Sequence, residues 1–377
     1  MRITDVRTYV VNVPLAVPFS SSFATNSGTT RTIVRLLTDE GIEGIGESLR
    51  GKPTADLVER HRELVIGEDP FEIERLLAKF YMTPFFYGYT GYAAIAAVEM
   101  ACWDLMGKFL GVPIARLLGG YFREKVPATG LLTRGMLGPG ANGPSIPEQL
   151  AEASLGLVAD YGFHVLKVKG SYNPEEDVAI MVALRKAQPH AKLRLDPNAV
   201  WTVHQSLWAG MRLEPLDLEY LEDPCAGIEG MSRVHRQVRI PLCTNMCVVC
   251  FEDFPPAVRL EAVDVILGDV HKWGGITATK RLGALCETFG LGMNLHSGGE
   301  LGISTACHLH LAAAMPELRY AIDSMYYLLA DDILTERLPF EDGHFTVPRR
   351  PGLGVEIDPA KLESYAALNA REGDYSI

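Results

Sequence analysis

Six polar residues recur through the second half of the chain at a nearly fixed interval. Lys169 closes the apolar run LKVK. Asp196 follows in LRLDPN after 27 residues, Glu222 in YLEDP after 26, Asn245 in CTNM after 23, Asp269 in ILGD after 24 and His296 in NLHSGG after 27. A second lysine, Lys167, stands two before Lys169. Residues two apart on a strand share a face, so both ammonium groups project the same way. Two like charges side by side repel, and burying either is costly.

Residue types at these positions suggest a division of labour. Asp196, Glu222 and Asn245 offer three oxygen donors, two of them carboxylates, with no Cys or His among them. Such a set suits Mg²⁺, with Mn²⁺ as a second possibility, whereas zinc would want nitrogen or sulfur. Asp269 and His296 can form an imidazole base oriented by a carboxylate. A lysine beside a second ammonium and a divalent cation is expected to have a lowered pKa, which would make Lys169 a base near neutral pH. Two bases facing one cation fit abstraction of a proton α to a carboxylate, whose dianionic enediolate a bound Mg²⁺ would stabilise. Taken singly, Asp196, Asn198, Asp223 and Asp269 could each cap a helix, Asn245 could sit in a turn and His296 could be a hydrogen-bonded core residue. Their common register at consecutive strand ends argues for one site.

The elements that would position them are legible from patterning. VPATGLL, FHVLKVK, LRLD, LEYLE, IPLCT, VDVILGD, GLGMNLH and RYAID are short apolar runs of the kind that form buried parallel strands. Helical stretches lie between them. In NPEEDVAIMVALRKAQP, Asn173 reads as N-cap and Pro174 as the first helical residue, with acids in the first turn and Arg185 and Lys186 in the last. Eight strands alternating with helices predict a (β/α)8 barrel, whose chemistry sits at the C-terminal strand ends. The rival, a doubly wound sheet, would carry a glycine-rich turn after its first strand, and VPATGLLTRG is not G-x-G-x-x-G. Before about residue 125 the texture is α+β. RTIVRLLTD and EGIGESL read as a hairpin, and YAAIAAVEMACWDLMGKFLG as a helix stopped at Gly111.

Composition narrows the setting. A net charge of −12 argues against nucleic acid or an anionic membrane as partner. No run approaches the roughly 20 apolar residues of a membrane span, and MRITDVRTYVVNVP lacks a signal-peptide pattern, so the cytoplasm is the expected location. Seven cysteines, an odd number, point to reduced thiols. Cys247 and Cys250 form a C-x-x-C without the second pair that a zinc site would want.

The combination K-x-K, D-P-N, E-D-P, D-x-x-K-x-G-G and H-S, with RTIVRLLTDEGIEGIGES ahead of it and PGLGVEID behind, resembles the mandelate racemase/muconate-lactonizing branch of the enolase superfamily along nearly the whole chain. With Asn245 as third metal ligand, it is most similar to the glucarate dehydratase-like subgroup. The resemblance implies an α/β fold: a modified TIM (β/α)8-type barrel over 126–339, an N-terminal α+β capping domain over 1–125, and residues 340–377 returning to the capping domain. It implies Lys169 and His296 as the two bases and Asp269 as partner of His296. Lys167 would hold the substrate carboxylate and tune Lys169, Asp196, Glu222 and Asn245 would bind Mg²⁺, and Asn198, Ser297 and Thr90 would touch substrate. The implied activity is dehydration of an acid sugar to a 2-keto-3-deoxy acid by a homo-oligomeric enzyme. Racemisation, epimerisation and cycloisomerisation use the same chemistry. A non-catalytic binding protein on the same fold would be expected to have lost a base or a ligand.

The chain departs from the subgroup where the far end of the substrate would lie. PLAVPFSSSFATNSG carries no His, TGLLTRG no Tyr, and SGGELGIS no paired Asn. Arg134 in that loop is a candidate for a distal anion or a solvated charge. His271, two after Asp269, reads as packing or surface, with a place facing the site as the alternative; Trp201 and Trp273 read as walls or packing, and His308, His310, Arg349 and Arg350 as packing or surface.

Overall fold

The computed structural model describes residues 1–80, 82–137 and 144–375. The first 48 residues form an antiparallel meander of β1 (Ile3–Ser20), β2 (Thr25–Thr38) and β3 (Glu43–Ser48), in that order across the sheet. The expected hairpin is the β2–β3 pair, with Thr32 opposite Ser48 and Leu37 opposite Glu43. The long helix Thr83–Leu110 packs on this sheet. Its Ala93, Ala94, Ala97, Ala101 and Leu105 are buried, small residues that let helix and strands approach closely. Gly111 ends it in the left-handed region at φ 68°, as the sequence predicts.

Eight parallel strands follow: β4 (Lys125–Leu132), β5 (Val165–Lys169), β6 (Lys192–Asp196), β7 (Tyr220–Glu222), β8 (Leu242–Thr244), β9 (Val265–Gly268), β10 (Gly292–Leu295) and β11 (Ile322–Asp323). All eight apolar runs are strands. Each of β4 to β10 pairs in parallel with the next, and β11 pairs in parallel with β4. Met293 of β10 bridges to Leu318 just ahead of β11, which brings the ring round. Among the described residues eight α-helices lie between these strands, from Ile146–Tyr161 to Gly302–Ala314, two of them in the β9–β10 connection. In the helix Pro174–Ala187, Asn173 accepts a bond from the Glu176 backbone as N-cap. The strand β11 departs from the regular repeat. It is followed by the 3-10 turn Tyr326–Leu328 and then the small hairpin β12 (Phe340–Glu341) and β13 (His344–Thr346), with β13 antiparallel to β4. The last helix, Pro359–Glu372, lies against β1.

Two-residue periodicity decides what enters the barrel. Leu166, Val168, Leu193 and Leu195 join the hydrophobic core shared with the helices, each burial contributing about 2 kcal/mol. Their neighbours Lys167, Lys169, Arg194 and Asp196 take the opposite face, with Lys167 opposite Arg194 and Lys169 opposite Asp196. No helix among the described residues is long and apolar enough to cross a membrane.

Candidate active site

The two lysines that share a face of β5 meet a carboxylate cluster. Lys167 Nζ donates to Glu222 Oε2 at 2.6 Å and to Asp323 Oδ2 at 2.7 Å, and lies 3.4 Å from Asp196 Oδ2. Lys169 Nζ donates to Asp196 Oδ2 at 2.5 Å. The like-charge problem is thus solved by anions from three strands. Asp323, at the end of β11, completes the set and was missed in the sequence. Its signal was there, because it follows His296 by the same 27 residues. Asp323 also accepts from buried Arg194, which donates in addition to Thr129 Oγ1 and stacks on Tyr220.

Burial works against the Lys167 ammonium, but Asp323, Glu222 and Asp196 overcome burial and hold its pKa well above the ordinary lysine value. It is 1% exposed and, like Asp196 and Glu222, lies behind the cavity lining, where it gathers the carboxylates. Burial alone would push Asp196 up, but Lys169 and then Lys167 draw its pKa below the usual carboxylate range. Glu222 goes the other way, to about 8, first through burial and then through the charge of Asp196. The direction follows from crowding three buried carboxylates together: the cluster favours a further positive charge.

Asn245 stands beside Glu222, its Nδ2 donating to Glu222 Oε1 at 2.5 Å while Oδ1 accepts from Lys272 Nζ at 2.8 Å. Among the described residues, no group of three His, Cys, Asp or Glu is gathered for a metal. A cation held here therefore relies on the Asn245 amide, turned to present Oδ1, as third protein donor. Two buried carboxylates of opposed proton affinity plus an amide make an all-oxygen set that fits Mg²⁺. Lys272 is the other residue missed in the sequence, although it is the K of D-x-x-K-x-G-G.

Across the rim, His296 Nδ1 lies 2.8 Å from Asp269 Oδ2. Burial and then the Lys272 charge lower the His296 pKa, against the opposing pull of Asp269. Asp269 resists burial and stays well below the usual carboxylate range through its bond from His296 and the neighbouring cations. A neutral imidazole that donates from Nδ1 keeps Nε2 as an acceptor. Asp269 also caps the turn Val270–Trp273, accepting from the His271 and Lys272 backbones. The capping role and the site role coexist in one side chain.

Asn198 occupies the left-handed region at φ 56° and gives both its backbone N and Nδ2 to Asp196 Oδ1, at 2.9 and 3.0 Å. Ser22, at the β1–β2 turn, donates to the carbonyls of Pro197 and Gly170 at 2.9 and 3.1 Å, which seats the capping loop on the barrel. Ser297 Oγ donates to Glu300 Oε2 at 2.5 Å and accepts from the Met325 backbone. A cavity of about 710 Å³ opens between capping sheet and barrel, lined among others by Phe19, Asn26, Lys169, Asn198, Asn245, Asp269, Lys272, His296 and Ser297.

Other expectations are corrected. Thr90 lies outside the cavity lining, and the preceding Tyr89 takes that place; successive helical residues point in different directions. Arg134 is neither a distal anion binder nor a solvated charge. It pairs with Glu176 and Asp177 and donates to the Lys169 carbonyl at 3.2 Å, which fixes the end of β5. His271 is more than packing: its Nε2 accepts from Arg31 Nη2 at 2.8 Å and its Nδ1 faces Ser48 Oγ at 3.2 Å. Arg31 also pairs with buried Glu47, which accepts from the Leu301 and Ser304 backbones. All seven cysteines are free thiols, five of them buried, and burial raises the pKa values of Cys247 and Cys250 to about 12.

Comparison with known proteins agrees with this geometry. Residues 3–119 match the model of the mandelate racemase/muconate lactonizing enzyme N-terminal domain, and residues 149–361 match the enolase C-terminal domain-like model. The chain belongs to this family and is an enzyme of the enolase superfamily. A solved structure of an isomerase from Streptomyces coelicolor A3(2) is 57% identical with a TM-score of 0.92, covering 98% of this chain and 100% of that one. A protein named "Probable glucarate dehydratase" from Streptomyces coelicolor is 35% identical over 89% of this chain and 84% of its own. An enolase from Thermobispora bispora DSM 43833, complexed with magnesium and formate, is 36% identical with a TM-score of 0.91, over 99% of this chain and 94% of that one.

Proposed function

We propose that this protein is a Mg²⁺-dependent dehydratase of an acid sugar. One juxtaposition supports the reading: Lys169 and His296, at the ends of non-adjacent strands of the ring, line one cavity together with Asn245, and Asp196 and Glu222 are hydrogen-bonded to Lys169 and Asn245. Those three residues would hold Mg²⁺, which when bound supplies the positive charge that makes a proton α to a carboxylate acidic. His296 Nε2, neutral and accepting, takes the α-proton, and the Asp269 carboxylate stabilises the imidazolium that results. The C–H electron pair becomes the new C=C bond as the β C–O bond breaks. His296 returns its proton to the departing hydroxyl, which leaves as water, and the enol product tautomerises to a 2-keto-3-deoxy acid. Lys169 serves an α-carbon presented with the opposite configuration. Lys167 keeps the three carboxylates together, and Asn198 fixes Asp196.

A second reading, racemisation or epimerisation, has a specific observation in its favour: an isomerase is the 57%-identical relative. It needs both bases and no leaving group. The discriminating experiment is an NMR screen of hexarates, hexonates and pentonates with Mg²⁺ in D₂O. Conversion to a 2-keto-3-deoxy acid supports dehydration. A diastereomer, or α-deuteration without elimination, replaces it with the second reading. Silence across the panel removes acid sugars as the substrate class.

A further inference from the structure

The cavity has a wall that neither base nor metal site explains. Beyond the helix Pro359–Glu372 the chain turns at Gly373, φ 75°, and runs along the capping sheet, where Asp374 and Tyr375 join the cavity lining beside Gly28, Thr30 and Arg50. This segment is seated by a polar lock. Asn12, fully buried on β1, donates from Nδ2 to the Gly373 carbonyl at 2.8 Å, and its Oδ1 accepts from Asn369 Nδ2 at 3.0 Å and Thr30 Oγ1 at 2.7 Å. Thr30 Oγ1 in turn accepts from the Tyr375 backbone at 2.8 Å. Asp374 is held at both oxygens, by Asn369 Nδ2 at 2.9 Å and the Lys52 backbone at 3.1 Å.

Two glycines, one on β2 and one at the start of the helix Gly51–Arg60, leave room for it. A Cβ on Gly28 would lie 2.4 Å from the Tyr375 ring, and one on Gly51 would lie 2.5 Å from Asp374 Oδ2. A buried asparagine that grips the Gly373 carbonyl and ties it to Asn369 and Thr30, with two glycines that leave room for the segment's side chains, is a built seat. A solvated extension needs neither.

We propose that Gly373–Tyr375 is a specificity-determining wall of the substrate cavity. The reacting carbon of an acid must lie at Lys169 and His296 on the barrel side. The wall on the capping side therefore faces the rest of the molecule, and sets how long an acid fits and how its distal groups are held. The proposal rests on the acid-sugar reading of the cavity.

The test compares the full chain with its Tyr375→Ala and Asp374→Ala variants and with a chain stopped at Glu372, using the panel acid that the unmodified protein turns over best. If the segment binds the distal part, the variants show KM raised by about tenfold with a smaller change in kcat, and they admit acids one carbon longer. An unchanged KM and acid range in the point variants overturns the proposal. So does a parallel fall of kcat and melting temperature without a change in KM. If the unmodified protein turns over none of the acids, the acid-sugar reading has failed. The wall is then judged by calorimetric affinity for the same acids in the presence of Mg²⁺. Equal affinity of full and stopped chains, or no affinity in either, overturns it.

Discussion

His296 Nδ1 and Asp269 Oδ2 lie 2.8 Å apart, and the same carboxylate's other oxygen accepts two backbone N–H groups of the next turn. The imidazole is thus fixed in one tautomer by a group that is itself fixed. Asp269→Asn retains the backbone bonds but offers an amide that can present a donor to Nδ1. Turnover is expected to fall by about 10²- to 10⁴-fold, the usual worth of a positioned acid or base. Steady-state kinetics checks this. Lys169-dependent exchange should persist in D₂O with an acid of the opposite α-configuration.

The pH profile follows from the direction of the His296 shift. The neutral ring is the base, and burial with the Lys272 charge holds its pKa below the ordinary 6.5. Activity should therefore rise with pH along a limb whose midpoint lies below 6.5. Lys272→Met removes the cation and should move that limb to higher pH. A limb that stays in place in the variant would show that another group controls it.

Metal dependence is read apart from turnover. Glu222→Gln keeps the bond to Asn245 within reach but removes a charge from the donor set, and Mg²⁺ affinity measured by calorimetry should fall by about tenfold or more. Chelation should abolish turnover in the unmodified protein and leave its far-ultraviolet circular dichroism unchanged. Normal turnover after exhaustive chelation would sink the metal assignment.

Stability below neutral pH should carry the mark of His310. Burial lowers its pKa to about 4; the Ala115 backbone donates to Nδ1, and Nε2 faces the Leu353 carbonyl at 3.0 Å. The unfolded chain binds a proton near pH 6.5 that the folded chain refuses until about 4, so this stability is present above 6.5 and is lost as pH falls through 4. The loss amounts to about 3 kcal/mol across that window. Urea unfolding at pH 7 and pH 5 should show a smaller difference in His310→Gln than in the unmodified protein.

The docking of the two domains is tested at Arg31. Arg31→Met strands Glu47 in the interior and should cost about 3–5 kcal/mol, read as a fall in melting temperature. Adding Glu47→Gln should recover part of it, since the uncompensated charge is then gone.

Much of the fold was legible because parallel strands buried on both faces write themselves as short apolar runs, and all eight were found. The six strand-end residues were legible because one polar side chain per repeat breaks those runs at a constant interval. Asp323 obeys the same interval and ends RYAID, a run legible as a strand, yet no βα helix follows it and it went unread as a seventh strand-end residue. Missing it left out one of the anions that hold up the Lys167 pKa, a count that only the closed ring supplies. Lys272 stood in D-x-x-K-x-G-G without a role of its own, whereas Ser22 and Tyr375 were illegible for another reason. Their roles come from contacts between distant segments, and nothing in a serine-rich loop or a chain extension states which cavity it meets.

The position of Asp323 on the last strand also ties the site to the closing of the ring. Lys167 and its first two anions are present once β5 to β7 are in place, yet the third anion arrives only when β11 pairs with β4. A chain stalled before that pairing has a strand edge open and a cluster short of its designed charge. Ring closure and site completion are therefore one step, and a ligand specific for the finished cluster would report on the arrival of the final strand.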